Sequence, residues 1–437
     1  MTRREFVGKT AAGAAAMSLG RWAFVPSRVW GANDRLGVGF VGMGARMGSL
    51  LEEVRRLSET HRLDLVAVCD IWNQRREAAA AKVQGWTGQQ VAACRTLEEI
   101  CARSDVDVLI IATADFQHAP HLAFAVRAGK DVYVEKPLGC DFDQIKDAWK
   151  AVQETGRVVQ MGTQARGEGK YFGARDFIRS GKLGKVSYVE IAEPLFEQRW
   201  RIPGSENSLT EADTDWKEFQ SYTYDPKLPF NARHYREFRL FWPYSSGCLC
   251  QWMSHKIDLV NLVLDELPRS AVCLGTLSVW NDGRNNPDTV QALLEYPSGV
   301  LVTYHMRLGN SQNGRGIFIY GTQGTMDLMG GRAYGDGGGG AVIKDRPEDV
   351  NSTFHVDSST LLPKSQEGGV TWESPPDVHH IGHFFECVRS RERTRADIDA
   401  GFAHALATTM ANLSYRYGCR MEYDAEKMEL RKASGAA

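Results

Sequence analysis

The 437-residue chain predicts an α/β fold in two parts: a doubly wound parallel sheet, then an α+β domain with a large, mostly antiparallel open sheet. Three observations predict it. Between Leu36 and Met161 short apolar runs alternate with helical stretches, the grammar of a parallel sheet with crossover helices. The first run feeds a glycine-rich turn, Gly42-Met43-Gly44, and then a helix. Beyond residue 163 the alternation stops, and strand pairs joined by tight turns take over. A chain this long exceeds one ordinary core, so domains at 33–163 and 164–437 are expected.

The elements follow in order. Residues 36–41 form the first strand, and Leu50, Leu51, Val54 and Leu57 then recur at helical spacing. Leu63 to Cys69 is the second strand and ends in Asp70; an alanine-rich helix covers 73–83. Val106 to Ala112 is a continuous apolar strand suited to burial on both faces. Helix 118–128 leads to the Tyr133 strand, and helix 142–154 to Val158–Met161. In the second part Val186 to Ile191 reads as a strand. Thr289–Tyr296 and Val300–Met306 form a hairpin around Pro297-Ser298-Gly299, and Ile317–Tyr320 pairs with Thr325–Leu328. Residues 330–377, glycine-dense and then polar, are expected to be a partly mobile surface excursion.

Residues 1–32 stand apart. Arg3 and Arg4 precede a short, weakly apolar run from Thr10 to Leu19, which resembles a twin-arginine export signal and is too short for a membrane span. The expected location is therefore periplasmic or otherwise exported, with the export machinery as a partner. A net charge of −2 leaves no electrostatic footprint for nucleic acid. The nine cysteines lack framework spacing and are expected to be mostly free, buried thiols. His379, His380 and His383 look like metal-ligand spacing, but Phe384, Phe385 and Val388 mark the start of a packing helix, so no metal is expected.

Four segments carry chemistry. In Gly42-Met43-Gly44-Ala45-Arg46-Met47-Gly48, close-packed glycines let backbone N–H groups reach a pyrophosphate, although the third glycine comes one place late. Asp70 is placed to accept ribose hydroxyls, which favours NAD; Arg75 and Arg76 nearby keep NADP open, and a plain helix cap is the competing reading. In Gly129 to Leu138, the β-rich run ends at Glu135-Lys136-Pro137, where the proline stops the strand and leaves Lys136 at its carboxyl end, the ligand-binding edge of an open α/β sheet. In the second domain Gln251, His255 and Asp258 fall on one helical face, a polar stripe that needs a partner or a ligand. Gln164 and Arg166 follow the last parallel strand. Arg233 to Arg236, Trp242 and Tyr244 offer hydroxyl-binding groups and an aromatic face, so Gln164, Arg166, Arg236, Trp242, Tyr244 and His255 are the expected substrate contacts.

Glu135-Lys136-Pro137 and His255-x-x-Asp258 closely resemble signatures of the glucose–fructose oxidoreductase / inositol dehydrogenase / MocA (Gfo/Idh/MocA) family. Thr113-Ala114-Asp115-Phe116-Gln117-His118 resembles that family's Thr-Pro-Asp-x-x-His stretch, with Ala114 in place of proline. Gln251 stands where many relatives place an aspartate. The resemblance runs to the helix at Phe384 to Ser390 and the Arg416 to Arg420 segment. It implies a Rossmann first domain, cofactor contacts from Thr113, Asp115, His118, Glu135 and Lys136 beside the turn residues, and a homo-oligomer paired through the second-domain sheet. It also implies hydride transfer between the cofactor and a sugar, polyol or sugar derivative, with Lys136 assisting proton transfer, His255 as the main acid/base, and Asp258 and Gln251 orienting it. Two competitors remain: a redox-neutral NAD-dependent glycoside hydrolase or lyase, and a non-catalytic carbohydrate-binding module.

Overall fold

The computed structural model describes residues 35–223, 227–338 and 362–433. The expected export signal, residues 1–32, and the middle of the 330–377 excursion lie outside them.

The first sheet contains β1 (Leu36–Val41), β2 (Leu63–Cys69), β3 (Ala92–Cys94), β4 (Val108–Ile111), β5 (Asp131–Val134) and β6 (Val159–Met161), all parallel, in the order β3-β2-β1-β4-β5-β6. The order reverses between β1 and β4, and the glycine turn and the Thr113 loop leave the sheet side by side at that point. Both faces are buried, which is why β4 and residues 132–134 of β5 read as unbroken apolar runs. On one face Val38, Phe40, Val68 and Ile110 pack under helices 45–57 and 73–87. That layer is completed from far along the chain: Ile381, Phe384 and Phe385 of helix 380–390 pack beside Tyr133. The first structural unit therefore takes residues from both sides of the 163/164 boundary. Strand β3 and helix 97–101 were not anticipated; three residues of strand carry too little periodicity to read.

The second sheet has nine strands: β7 (Val186–Pro194), β8 (Ser270–Thr276), β9 (Thr289–Glu295), β10 (Leu301–Arg307), β11 (Gly316–Gly321), β12 (Gly324–Asp327), β13 (Arg332–Tyr334), β14 (Met421–Asp424) and β15 (Glu429–Lys432). Its order is β13-β12-β11-β7-β10-β9-β8-β14-β15, and only β7 and β10 run parallel. Both expected hairpins are present. The flanks of the glycine-rich excursion are not loose: Arg332–Tyr334 extends the sheet, Ala333 bridges Val370, and the Trp372 indole donates to the Lys170 carbonyl at 2.7 Å. One face of the sheet is covered by helices 169–179, 254–264 and 398–417, while the other shows Val272, Leu274 and Leu301, Leu274 being 79 % exposed.

Residues 195–244 leave the second sheet and cross to the first domain. Asp215 N–H donates to the Ile71 carbonyl, Trp72 bridges Thr214, and the Gln117 amide donates to the Phe219 carbonyl at 3.2 Å. Trp72, Phe116 and Cys140 of the first domain share one apolar cluster with Trp216, Phe219, Tyr235 and Tyr244 of this strap. Phe116 and Phe219 meet edge to face at 5.3 Å.

Candidate active site

Two chambers lie end to end along the carboxyl edge of the first sheet and share Arg46, Ala112, Thr113 and Arg239 as walls. One, of about 290 Å³, is lined by Gly42, Gly44, Ala45, Asp70, Arg75 and Arg236. The other, of about 280 Å³, is lined by His118, Glu135, Lys136, Gln164, Gln251 and His255.

The first chamber suits the adenosine and pyrophosphate part of a dinucleotide. Gly42 has φ +85°, and a Cβ there would stand 2.9 Å from the Ala112 carbonyl, so only glycine lets the turn pass so close to the end of β4. Gly44 precedes helix 45–57, whose first turn has neither a side-chain cap nor an acidic residue. Its N–H groups are available to an anion, with the helix dipole adding to them. Met47, where a third glycine is usual, is fully buried in the core, and a Cβ on Gly48 would have no atom within 4 Å, so the late glycine is not required.

Asp70 borders this chamber with its carboxylate already engaged. Met43 N–H donates to Oδ2 at 2.6 Å, Trp72 N–H to Oδ1 at 2.8 Å, and the Tyr235 hydroxyl to Oδ1 at 3.4 Å. Burial raises its pKa, and the two backbone N–H bonds and nearby Arg75 oppose that rise. Asp70 thus braces the glycine turn, and Oδ2, with a single donor on it, keeps a lone pair for a ribose hydroxyl. Arg75 stacks on Trp72 at 4.5 Å and Arg236 lies over the same ring at 5.3 Å. Arg236 was expected at the substrate; it faces the adenosine end instead, because helix 232–236 belongs to the strap.

In the second chamber Lys136 Nζ donates to the Gln251 carbonyl at 2.7 Å and to Gln251 Oε1 at 3.1 Å. Its pKa is pushed down to about 8, chiefly by burial and further by Arg239, against Glu135 and Asp115. Neighbouring Glu135 accepts from Arg46 Nε at 2.7 Å and from Gln164 Nε2 at 3.1 Å. Gln164, expected at the substrate, reaches this chamber but spends its amide N–H groups on Glu135 and the Tyr133 hydroxyl. His255 faces the cavity, and burial, with Lys136, Lys256 and His404 adding to it, holds its pKa well below the ordinary imidazole value. His118 packs between the Pro137 carbonyl (Nδ1, 2.7 Å) and the Thr113 carbonyl (Nε2, 3.2 Å), tying two loops together.

The expectations for five further residues are corrected. Arg166 is not a substrate contact: it is 2 % exposed and its Nε donates to Asp258 Oδ2 at 2.7 Å. Asp258 therefore does not orient His255; it is bound to Arg166, with His404 Nδ1 at 3.8 Å, and Arg166 holds its pKa down at about 2 against burial. His255 and Asp258 both lie on the regular helix 254–264, and the buried Arg166 takes the Asp258 carboxylate; the π turn at Leu249–Met253, immediately before that helix, displaces only Gln251 from their face. Tyr244 is fully buried among Phe116, Trp216 and Phe219, and Trp242, with Arg416 over its ring at 4.8 Å, lines neither chamber. Asp115 does not face the cofactor chamber: its carboxylate is buried and holds Gln251 Nε2 at 2.5 Å and Ser245 Oγ at 2.7 Å. Ser245, Arg239 and His404 were missed as site residues, since each acts on a partner more than a hundred positions away, and Tyr235, read as a hydroxyl-binding group, bonds Asp70 instead. Among the described residues no group of three His, Cys, Asp or Glu could hold a metal ion.

Comparison with known proteins agrees with this geometry. Residues 36–163 match the model of an oxidoreductase family with an NAD-binding Rossmann fold, and residues 215–327 match a GFO/IDH/MocA C-terminal domain; together these cover more than half of the chain. An inositol 2-dehydrogenase of Rhizobium meliloti is 31 % identical over 153 residues, 35 % of this chain and 43 % of that protein. A 1,5-anhydro-D-fructose reductase of Ensifer adhaerens is 23 % identical over 233 residues, 53 % of this chain and 59 % of that protein. The matches thus span less than two thirds of these relatives. The WlbA dehydrogenase of Bordetella pertussis, solved with NADH and UDP-GlcNAcA, has the same fold at a TM-score of 0.61 and 18 % identity, over 90 % of this chain and 99 % of that one.

Proposed function

This chain belongs to the GFO/IDH/MocA family of oxidoreductases, and from that premise we propose that it transfers a hydride between a tightly held NAD(P) and a sugar, polyol or sugar derivative. The observation that carries the proposal is the convergence of Lys136 and His255, from different domains, on a chamber continuous with the glycine turn.

Gly42, Gly44 and the first turn of helix 45–57 would hold the pyrophosphate, with Asp70 and Arg75 at the adenosine end and Thr113 and Lys136 toward the nicotinamide. Once bound, the nicotinamide supplies the hydride-accepting or hydride-donating carbon. The residues of this chain handle the proton. Lys136, with its pKa near 8, exchanges a proton close to neutral pH and is matched to the hydroxyl of a carbinol undergoing oxidation. His255, whose pKa burial holds below the ordinary imidazole value, faces the same chamber from the second domain and is the partner in that proton transfer, as a base or as a hydrogen-bond acceptor for the substrate hydroxyl.

Tight holding is supported by the strap. It roofs the first chamber with Ile202, Phe219, Tyr235 and Phe238, and its apolar cluster would have to part before a dinucleotide could leave. A captive cofactor suits export on the twin-arginine route, since a periplasm offers no nicotinamide pool for exchange. It also favours a second reading, redox-neutral cleavage, in which the hydride returns to the same sugar after a glycosidic group has left. The uncovered sheet face around Leu274 is where a second copy would pair.

Denaturing the purified protein and weighing the released nucleotide tests the proposal. Near-stoichiometric NAD(H) or NADP(H) is expected. No released nucleotide, together with no binding on titration, overturns it and favours the carbohydrate-binding module.

A further inference from the structure

We infer that Asp115 is a positioning residue: it fixes the amide of Gln251 and through it Lys136, so that a first-domain carboxylate does from behind what a helix-borne aspartate would do directly.

Gln251 sits in the π turn, between Lys136 on one side and Asp115 on the other. An amide presents an acceptor at one end and a donor at the other, and its orientation is decided by its neighbours. Every neighbour of the Asp115 carboxylate is a donor: Gln251 Nε2 at 2.5 Å and Arg239 Nε at 3.8 Å on Oδ1, Ser245 Oγ at 2.7 Å and Cys250 Sγ at 3.5 Å on Oδ2. With Asp115 accepting, the NH₂ of Gln251 must face it, and Oε1 must face Lys136. The backbone carbonyl of Gln251 takes a second Lys136 N–H.

The consequence for Lys136 is directional. As an ammonium it has three donors, and two of them are committed to Gln251. The third then faces the chamber shared with Thr113, Gln164 and His255. As an amine, the same two contacts use both N–H bonds and leave the lone pair facing that chamber. Asp115 is fully buried and spans the two domains, so this orientation also registers their closure. The charged and titratable groups facing Lys136 are Glu135, Asp115, Arg239, Cys250 and His255.

The inference rests on the reading of Lys136 as the proton-exchanging group, but its test needs no turnover. The protein as purified is pulsed with acetic anhydride at a series of pH values, and acetylation of Lys136 is followed by peptide mass spectrometry. The midpoint of the parent is expected near 8. Asp115→Asn should lower it by about one pH unit, by removing a negative charge and freeing the amide to rotate. Gln251→Glu should raise it by about as much, by setting one carboxylate oxygen against the ammonium and the other against Asp115. The double variant Asp115→Asn/Gln251→Glu exchanges donor and acceptor and should return the midpoint toward that of the parent, a rescue that loss of packing alone would not produce. Gln251→Met keeps the volume, neither donates nor accepts as an amide does, and should also lower the midpoint; it serves if Asp115→Asn does not fold. Unchanged midpoints in Asp115→Asn and Gln251→Met, or a double variant no nearer the parent than the single ones, overturn the inference and leave the oxidoreductase reading intact.

Discussion

The two ends of the cleft are built from different materials. At the end beside Asp70, Trp72 and Phe116 are buried against Phe219 and Tyr235 of the strap, and edge-to-face aromatic contacts and apolar burial hold the strap down. At the other end Lys136, Gln251, Asp115 and Ser245 form a hydrogen-bonded chain in which every group has a set direction. Apolar contact is strong and tolerant of small shifts, whereas a buried polar chain fails when one member is lost. One end is suited to retention and the other to aiming a proton.

The largest effect should come from the polar end. Lys136→Met removes the proton-exchanging group and should reduce reduction of the bound cofactor, assayed with a panel of sugars and polyols, by about 10²–10⁴-fold. The nucleotide content should not change. A loss of nucleotide along with activity would show that the lysine serves retention as well and would blur the contrast. Next comes the apolar end. Phe219 is 2 % exposed, and Phe219→Ala should cost about 3–5 kcal/mol of stability, read from denaturant unfolding. The same variant should let added NAD exchange with the resident cofactor; unaltered exchange would remove the strap from the account of retention. The smallest effect sharpens the comparison within the glycine turn. Gly48→Ala should stabilise helix 45–57 by about 0.5–1 kcal/mol in a thermal melt without altering nucleotide content, because nothing stands near the added methyl group.

The same contrast explains what was legible in the sequence. The glycine turn, Asp70 and Lys136 were readable because their meaning is local: a strand, a turn and a helix in order. The parallel strands of the first sheet, β3 excepted, announced themselves as apolar runs, and the two hairpins by their turn residues. Strands β14 and β15 did not, since Glu429–Lys432 is mostly polar and lies at the sheet edge. The larger misreading was the stripe Gln251, His255 and Asp258. Regular helical spacing put all three on one face, but a π turn offset Gln251, and a buried arginine took Asp258 away from His255. Asp258 went to Arg166, 92 positions away, and Gln251 to Asp115, 136 positions away. Pairings at such distances leave no periodic trace, so Arg166, Tyr244 and Asp115 each looked like site residues while serving the core or the domain interface.

The helix at 380–390 that finishes the first layer sets a schedule for biosynthesis. Domains near the amino terminus commonly fold as they leave the ribosome. Here one face of the first sheet, around Tyr133, stays uncovered until the chain has been made past Phe385. Until then the nascent protein presents open apolar surface to chaperones, and its nucleotide cleft is finished only when almost all of the polypeptide exists.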